Sequence, residues 1–500
     1  MTVVSRSIPV TITLIGKEGQ LKDSIRELID YMRKKRVNYA DARFVNKRTE
    51  SITVRDGKIE ALSRDEDRGI GVRVLHDGCW GFAAGSLISF SALKKLADKA
   101  IGIARASAVT KKKPAVLAPV RIYDDRYSSP VNEDPFAVSL DEKIDLLMKI
   151  DAVLKKRPKI KIAESSLDFF RIDKIFCSTE GALIEQTILE SGGGYEATAV
   201  DKGEVQKRSF PNSHRGDYRC AGYEFIRSLG LLENAERVAE EAVALLVAPP
   251  CPAMKTNLII AGDQLALQVH ESCGHPVELD RVLGTEISLA GGSFMTIEKL
   301  GKLKYGSPVV NIVQDATIAH ALGGYGYDDE GVKSTRSDII KEGLFVGYLT
   351  SRETASIVGA SPNGTMRADG WNSMPLIRMT NINLEPGEWD YDALIADTKD
   401  GILLSTNKSW SIDDKRLNFQ FGVEAAWQIK DGKITTMYKN PIYTGITPEF
   451  WNSCDAICNG NHWRIWGIPS CGKGEPMQTA HVAHGTAPAR FRNVMVGVSK

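Results

Sequence analysis

Six consecutive residues, His270-Glu271-Ser272-Cys273-Gly274-His275, put two imidazoles and a carboxylate within one short stretch. Neutral imidazoles bind zinc, and a carboxylate beside them can take a proton from water, so this is raw material for metal-assisted hydrolysis. The familiar spacing for that chemistry is i and i+4, which sets both rings on one face of a regular helix. Here the spacing is i and i+5, and at 3.6 residues per turn the rings diverge by about 140°. Both reach one ion only if the helix bends or ends between them. Gly274 permits such a break, and Pro276 disfavours α conformation at His275. The competing reading is two satisfied histidines at a helix C-terminus.

A catalytic zinc takes three protein ligands and keeps one position open. Glu271 is badly placed as a ligand and well placed as a general base. Candidates for the third ligand are Glu278, Cys454, Cys458, Cys471, His481 and His484. Cys454 and Cys458 lack two further ligands nearby and are expected to be buried thiols in a short helix. Cys471 lies in Pro469-Ser470-Cys471-Gly472-Lys473-Gly474, where glycine allows a tight turn and Lys473 favours thiolate. Spacing alone does not choose among these. Tyr325 and Tyr327 sit in an acidic, glycine-rich loop over 323–331 that either contacts a substrate backbone or is merely surface. Arg378 either orients a peptide carbonyl or carboxylate, or makes a structural salt bridge. Ser191-Gly192-Gly193-Gly194 has no Lys-Ser/Thr ending, so it is expected to be a turn and not a phosphate loop.

The elements that must hold these groups follow from periodicity. Residues 10–15 alternate apolar residues with Thr, as a half-exposed strand does, and Leu21–Met32 carries a helical apolar stripe. Two strand pairs turn at Arg55-Asp56-Gly57 and His76-Asp77-Gly78. Helices are expected over 91–106, 141–155 and 234–246, with a meander of short strands over 159–208. Ala248-Pro249-Pro250-Cys251-Pro252 can continue neither helix nor sheet. The expected fold is therefore α+β: a mixed α and β domain over 1–247, then a mostly β domain over 253–500 that carries the metal site.

Composition narrows the function classes. A net charge of +1 over 500 residues argues against an electrostatic grip on nucleic acid or anionic lipid. No run of eighteen apolar residues occurs, so no membrane span is expected, and with no export signal the default is a cytoplasmic protein. Eight Cys are too sparse for a disulfide scaffold.

The His270-Glu271-x-x-x-His275 segment, Arg378-Met379-Thr380-Asn381 and Cys471-Gly472-Lys473 together resemble the TldD/PmbA family of metallopeptidases. Arg55-Asp56-Gly57-Lys58, Gly71-Val72-Arg73-Val74 and Trp80-Gly81-Phe82-Ala83 extend the resemblance over nearly the whole chain. The resemblance implies a two-domain fold, an N-terminal α/β domain with a largely antiparallel β C-terminal domain, and, since both histidines, Glu271 and Cys471 are present, the metal-bearing TldD-like branch. His270, His275 and Cys471 are then the ligands of one zinc ion per chain, and Glu271 is the base. The implied activity is hydrolysis of peptides or unfolded proteins, in a homodimer or in a heterodimer with a metal-free sister subunit. The stretch Gly474-Glu475-Pro476-Met477-Gln478 departs from the shorter run of that branch, which keeps His481 and His484 as reserve ligands or substrate contacts. Alternatives are a non-catalytic metal-binding subunit that supports a partner, and a zinc hydrolase of a non-peptide amide. A nucleic-acid-associated regulator is a weaker third.

Overall fold

The structure, a computed structural model, describes residues 15–111, 113–289 and 291–497. It is mixed α and β with mostly antiparallel sheets. The expected strand over 10–15 falls outside the described residues except for Ile15, which opens the first helix.

The N-terminal half is one sheet under helices. Its strands are β1 (Tyr39–Arg55), β2 (Lys58–His76), β3 (Cys79–Gly85), β4 (Asp124–Ser128), β5 (Ile160–Ser178), β6 (Leu183–Asp201), β7 (Glu204–Phe210) and β8 (Asp217–Arg219). The order is β3-β2-β1-β5-β6-β4, and β7 and β8 also pair with β6. Its helices are α1 (Ile15–Lys34), α2 (Phe90–Ala108), α3 (Leu140–Leu154), α4 (Tyr223–Ser228) and α5 (Leu231–Leu245). Ser89 and Ser139 cap α2 and α3 by accepting from Ala92 N–H and Glu142 N–H. At the first hairpin turn Asp56 (φ 48°) and Gly57 (φ 74°) both take positive φ, the backbone that a two-residue turn between twisted strands requires. The expected meander of short strands is instead dominated by two strands of 19 residues each.

Strand alternation explains how this sheet serves two purposes. In β1 the even positions near each end are apolar, with Asn46, Arg48 and Glu50 between them: Ala40, Ala42 and Phe44 pack with α1 and α2, and Ile52 and Val54 with α3 and α5. A 17-residue strand is long enough to carry two helix groups in succession. Each large apolar side chain buried there contributes about 1.5–3 kcal/mol. The odd positions carry charge into the interface with the C-terminal half. Asp41 pairs with Arg73 at 2.6 Å, Arg73 reaches Glu330 at 3.4 Å, and Lys174 of β5 reaches Asp329 at 3.1 Å. Burial pushes the Asp329 carboxyl up, but Lys174 and Arg43 outweigh it and hold it down to about 2. The loop over 323–331 is thus not a surface loop. It is clamped between the halves, where Lys174, Arg43 and Arg73 compensate Asp329 and Glu330, and the backbone N–H groups of Glu330, Val332 and Met366 donate to Asp328.

Residues 191–194 also differ from expectation: they run straight through β6. Their lack of side chains is used for close approach. A Cβ on Gly192 would meet the Tyr218 ring at 1.9 Å, and one on Gly194 would meet Gly216 Cα at 2.4 Å. The segment joining β7 to β8 can therefore lie directly on the sheet, which places His214.

In the C-terminal half, β9 (Met254–Ile260) pairs with strands Asp400–Ile412 and Ala489–Val496. Strand Asp400–Ile412 also pairs with Asn418–Lys430, which joins Ile442–Ile446 and so returns to Ala489–Val496. The five strands close into a ring. Helix α6 (Gly262–Val269) follows β9 and is buried at every position except Asp263, which is half-buried. Tyr443 links its two interior amides: Gln264 donates to Tyr443 Oη at 2.9 Å, and Tyr443 donates to Gln268 at 2.9 Å. Among the described residues no helix is long and apolar enough to cross a membrane.

Candidate metal centre

Both metal-site histidines are carried by the continuation of α6. After Val269 the helix widens into one π turn, His270–Gly274, closed by a bond from His275 N–H to His270 C=O, and then tightens into a 3₁₀ turn, His275–Val277. An i→i+5 turn stacks residues five apart, so the spacing that diverges on an α-helix converges here. The ring centroids of His270 and His275 stand 4.8 Å apart and perpendicular. The expectation of a break at His275 is corrected: His275 stays in αR (φ −65°, ψ −42°) despite the following proline. Pro276 acts through its missing N–H instead. That loss would leave Ser272 C=O without an i+4 donor, and Tyr305 Oη fills the place at 3.0 Å. Gly274 likewise serves packing, since a Cβ there would meet Met379 Sδ at 2.1 Å.

The third donor arrives on a hairpin of strands Arg464–Lys473 and Gln478–Thr486. Its register shifts between Ile468 and Cys471, where three steps on one strand oppose two on the other. Such a bulge re-aims the side chains that follow it. Cys471 Sγ comes to 3.8 Å from His275 Nε2, and donor atoms of His270, His275 and Cys471 all lie within 4.8 Å of one another. Arg378 is buried and donates to Cys471 C=O at 2.5 Å and to Gln478 C=O at 2.9 Å. It braces this hairpin through backbone carbonyls, and so forms neither the salt bridge nor the exposed substrate contact weighed from sequence.

The surroundings fix which nitrogen of each ring carries a proton. Ile382 C=O can only accept, so His484 donates to it from Nδ1 at 2.9 Å and offers Nε2 as acceptor. His270 Nδ1–H then donates to that Nε2 at 2.8 Å, leaving the His270 Nε2 lone pair for a metal. His275 Nδ1 donates to Glu278 at 3.0 Å, leaving its Nε2 lone pair toward Cys471. Burial holds His270 down to about 4 and also lowers His275, which favours the neutral form that ligates. Burial pushes the Cys471 thiol up, but His275 and Arg378 outweigh it and hold it below its ordinary value. Lys473, expected to favour the thiolate, is occupied elsewhere, with Asp280 at 2.7 Å and Glu278 at 3.4 Å. Burial pushes the Glu278 carboxyl up, yet Lys473, His275 and Arg281 hold it well below the usual range. Glu278 is therefore an anionic partner of His275.

The donor set fits zinc. Tetrahedral Zn–S and Zn–N bonds set a sulfur and a nitrogen about 3.6 Å apart, close to the 3.8 Å between Cys471 and His275. Replacing His484 with leucine, similar in volume but without an acceptor, is expected to weaken zinc binding about 10–100-fold. Competition with a chromogenic chelator measures this, and an unchanged affinity would show that His484 does not set the His270 tautomer.

Glu271 sits beside the donors in an open cavity of about 400 Å³, and its carboxylate is gripped by Arg416. Neither Arg416 nor His214, which lines the same cavity, stood out in the sequence. Arg416 is a non-glycine residue held at φ 63°, an uncommon conformation that marks a constrained site. Burial, with His270 as a second cause, holds His214 down to about 4. The other candidates lie elsewhere. His481 pairs with Glu190 at 2.6 Å and, with Tyr325 and Tyr327, lines a separate small cavity between the halves. Tyr325 Oη donates to Gly364 C=O at 2.7 Å, and Tyr327 Oη donates to Asp125. Cys454 opens a strand, Cys454–Ile457, with Cys458 just beyond it, so the expected short helix is not formed. Burial raises both thiols, and neither belongs to the metal cluster.

A buried His/His/Cys cluster with an acid beside it, set against a closed strand ring, is the donor set of a metal site with a proton acceptor at hand. Family models of the PmbA/TldA metallopeptidases match in three pieces: domain 1 over 40–104, the central domain over 133–248 and the C-terminal domain over 253–497. A metalloprotease of Methanocaldococcus jannaschii is 32% identical over 420 residues, covering 84% of this chain and 89% of that protein. A zinc metalloprotease TldD homolog of Saccharolobus solfataricus is 22% identical over 466 residues, covering 92% and 96%. The crystal structure of TldE from Thermococcus kodakarensis shares the fold, with a TM-score of 0.71 at 17% identity over 95% of this chain and 100% of that one. The chain belongs to the PmbA/TldD family of metallopeptidases.

Proposed function

We propose that this protein is a zinc-dependent peptidase of the TldD-like branch, hydrolysing peptide bonds in peptides or unfolded proteins. The observation that carries the reading is the convergence of His270, His275 and Cys471 on one point, with Glu271 in the wall of the same cavity. These three side chains would hold one zinc ion per chain. When bound, zinc supplies Lewis acidity toward a carbonyl oxygen and makes water a stronger acid. The carboxylate of Glu271 takes a proton from the attacking water and returns it to the leaving amine, so one group serves as base and then acid. Arg416 fixes that carboxylate in the cavity wall. His484 and Glu278 fix the ligand rings, so no reorientation accompanies the reaction. As the family likeness implies, the protein works as a dimer, with its own kind or with a metal-free sister chain.

Metal removal tests this reading. A reduced and carboxymethylated protein is the substrate, and its fragments are followed by mass spectrometry. Chelator treatment is expected to abolish cleavage, and about one equivalent of zinc per chain to restore it. Cleavage that persists in verified metal-free protein would sink the proposal.

A further inference from the structure

Strand β2 carries a long open sheet edge. It pairs with β1 from Lys58 to Leu75, but β3 covers its outer side only from Ile70 to His76. Among the described residues no strand pairs with the outer side of 58–69. Every residue from Lys58 to Arg68 is exposed, and Ile59 and Leu62 are 46% and 48% exposed despite being apolar. At about 3.3 Å per residue the open slot runs about 40 Å, lined by backbone N–H and C=O groups free to accept another strand.

Charge on an open edge ordinarily discourages such pairing. Here the order of the charges favours one partner, a second copy of the same strand. Two copies of an edge pair antiparallel about a twofold axis normal to the sheet. Opposed side chains share a face, so the axis must pass through a residue paired with itself. Two constraints choose that residue. With a centre at Arg64 or beyond, the second copy's β3, which begins opposite Ile70, would collide with Lys58. Centred on Ser63, Glu60 would oppose Glu66 and Lys58 would oppose Arg68; centred on Ala61, Lys58 would oppose Arg64. Centred on Glu60, two carboxylates would meet. Only at Leu62 do the signs agree: Glu60 opposes Arg64, Lys58 opposes Glu66, and Leu62 meets Leu62. The bulge that sets Val54 against Ile59 and Thr53 against Ala61 can move Lys58 one place, from Glu66 to Asp65, with the same sign. Opposite charges directly across a ladder stabilise it, and like charges destabilise it.

We propose that β2 docks antiparallel against β2 of a second copy of this chain, with Leu62 on the twofold axis and residues 58–66 in the shared ladder. The two N-terminal sheets become one continuous sheet. Within each chain Glu60 keeps Arg55 at 3.1 Å and Arg64 keeps Glu50 at 2.5 Å, and both side chains remain about half exposed to reach across.

This rests on the dimer reading above by naming its surface and committing to its own kind, and the test keeps the two apart. Full-length zinc-loaded wild type, Leu62→Asp, Leu62→Cys and Glu66→Cys are compared. Sedimentation of wild type at micromolar concentration is expected to give twice the chain mass. Leu62→Asp, which sets two carboxylates on the axis, is expected to dissociate at least about 100-fold more readily, with circular dichroism and zinc content unchanged. Opposed residues of an antiparallel pair stand about 4.5–5.5 Å apart, within disulfide reach. Mild oxidation of Leu62→Cys is therefore expected to link most chains in pairs. Glu66→Cys should not link, because its two copies lie eight residues apart along the ladder, about 27 Å. Monomeric wild type would overturn this self-pairing and leave only a dimer with a sister chain. A dimer that withstands Leu62→Asp, or that links as well through Glu66→Cys as through Leu62→Cys, would overturn the surface and leave the dimer standing.

Discussion

Glu271→Gln is expected to lower peptide hydrolysis by about 10³–10⁴-fold while the purified protein keeps its zinc. The substitution is nearly isosteric, and the new amide oxygen can still accept from Arg416, so the cavity wall is preserved. Only proton transfer is lost, and a positioned acid–base group typically contributes about 10²–10⁴-fold. The upper part of that range applies because the side chain is buried at the site and, among the described residues, no second carboxylate lines the cavity to replace it. Metal is retained because Glu271 is not one of the three converging donors. Zinc per chain by mass spectrometry and kcat/KM on one peptide check both halves of the prediction. Retained zinc with activity within tenfold of wild type would assign the base elsewhere.

Cys471→Ser should produce the opposite pattern, with loss of the metal itself. Apparent binding energies of about 10–16 kcal/mol for structural zinc, shared over four ligands, put one thiolate at about 2.5–4 kcal/mol. Zinc affinity should then fall at least about 70-fold. Serine keeps the size of the side chain, and the brace from Arg378 binds the backbone carbonyl of residue 471, so the hairpin should hold. The metal-free forms of variant and wild type should therefore melt within a few degrees of each other. Cys454→Ser is the control: that thiol is buried outside the cluster, and its loss should leave zinc content unchanged. Comparable zinc loss in both variants, or in neither, would contradict the assignment.

The helices and the two hairpin turns were legible because each depends on local chemistry: apolar periodicity and positive φ at Gly57 and Gly78. The metal segment was legible in composition but not in conformation. The i+5 spacing demanded a distortion, yet whether the helix would rupture or widen depends on Tyr305 and Trp451, which come from distant segments. Tyr305 donates to Ser272 C=O, and Trp451 Nε1 donates to Ser272 Oγ at 2.9 Å. The glycines at 192–194 carried a turn signature because nothing local announces that Tyr218 and Gly216 will press against them. The acidic loop over 323–331 looked solvated for the same reason, since its cationic partners Arg43, Arg73 and Lys174 lie more than 150 residues away. His484 and Arg416 acquire their roles only through such long-range contacts, while Glu278 meets His275 and Arg281 locally and Lys473 from a distance.

Zinc K-edge X-ray absorption of the purified wild-type protein tests the central claim most directly. One sulfur at about 2.3 Å and two imidazole nitrogens at about 2.0–2.1 Å, with a further light-atom ligand, are the shell expected for His270, His275 and Cys471. A spectrum without sulfur, or with more than one, would contradict that site.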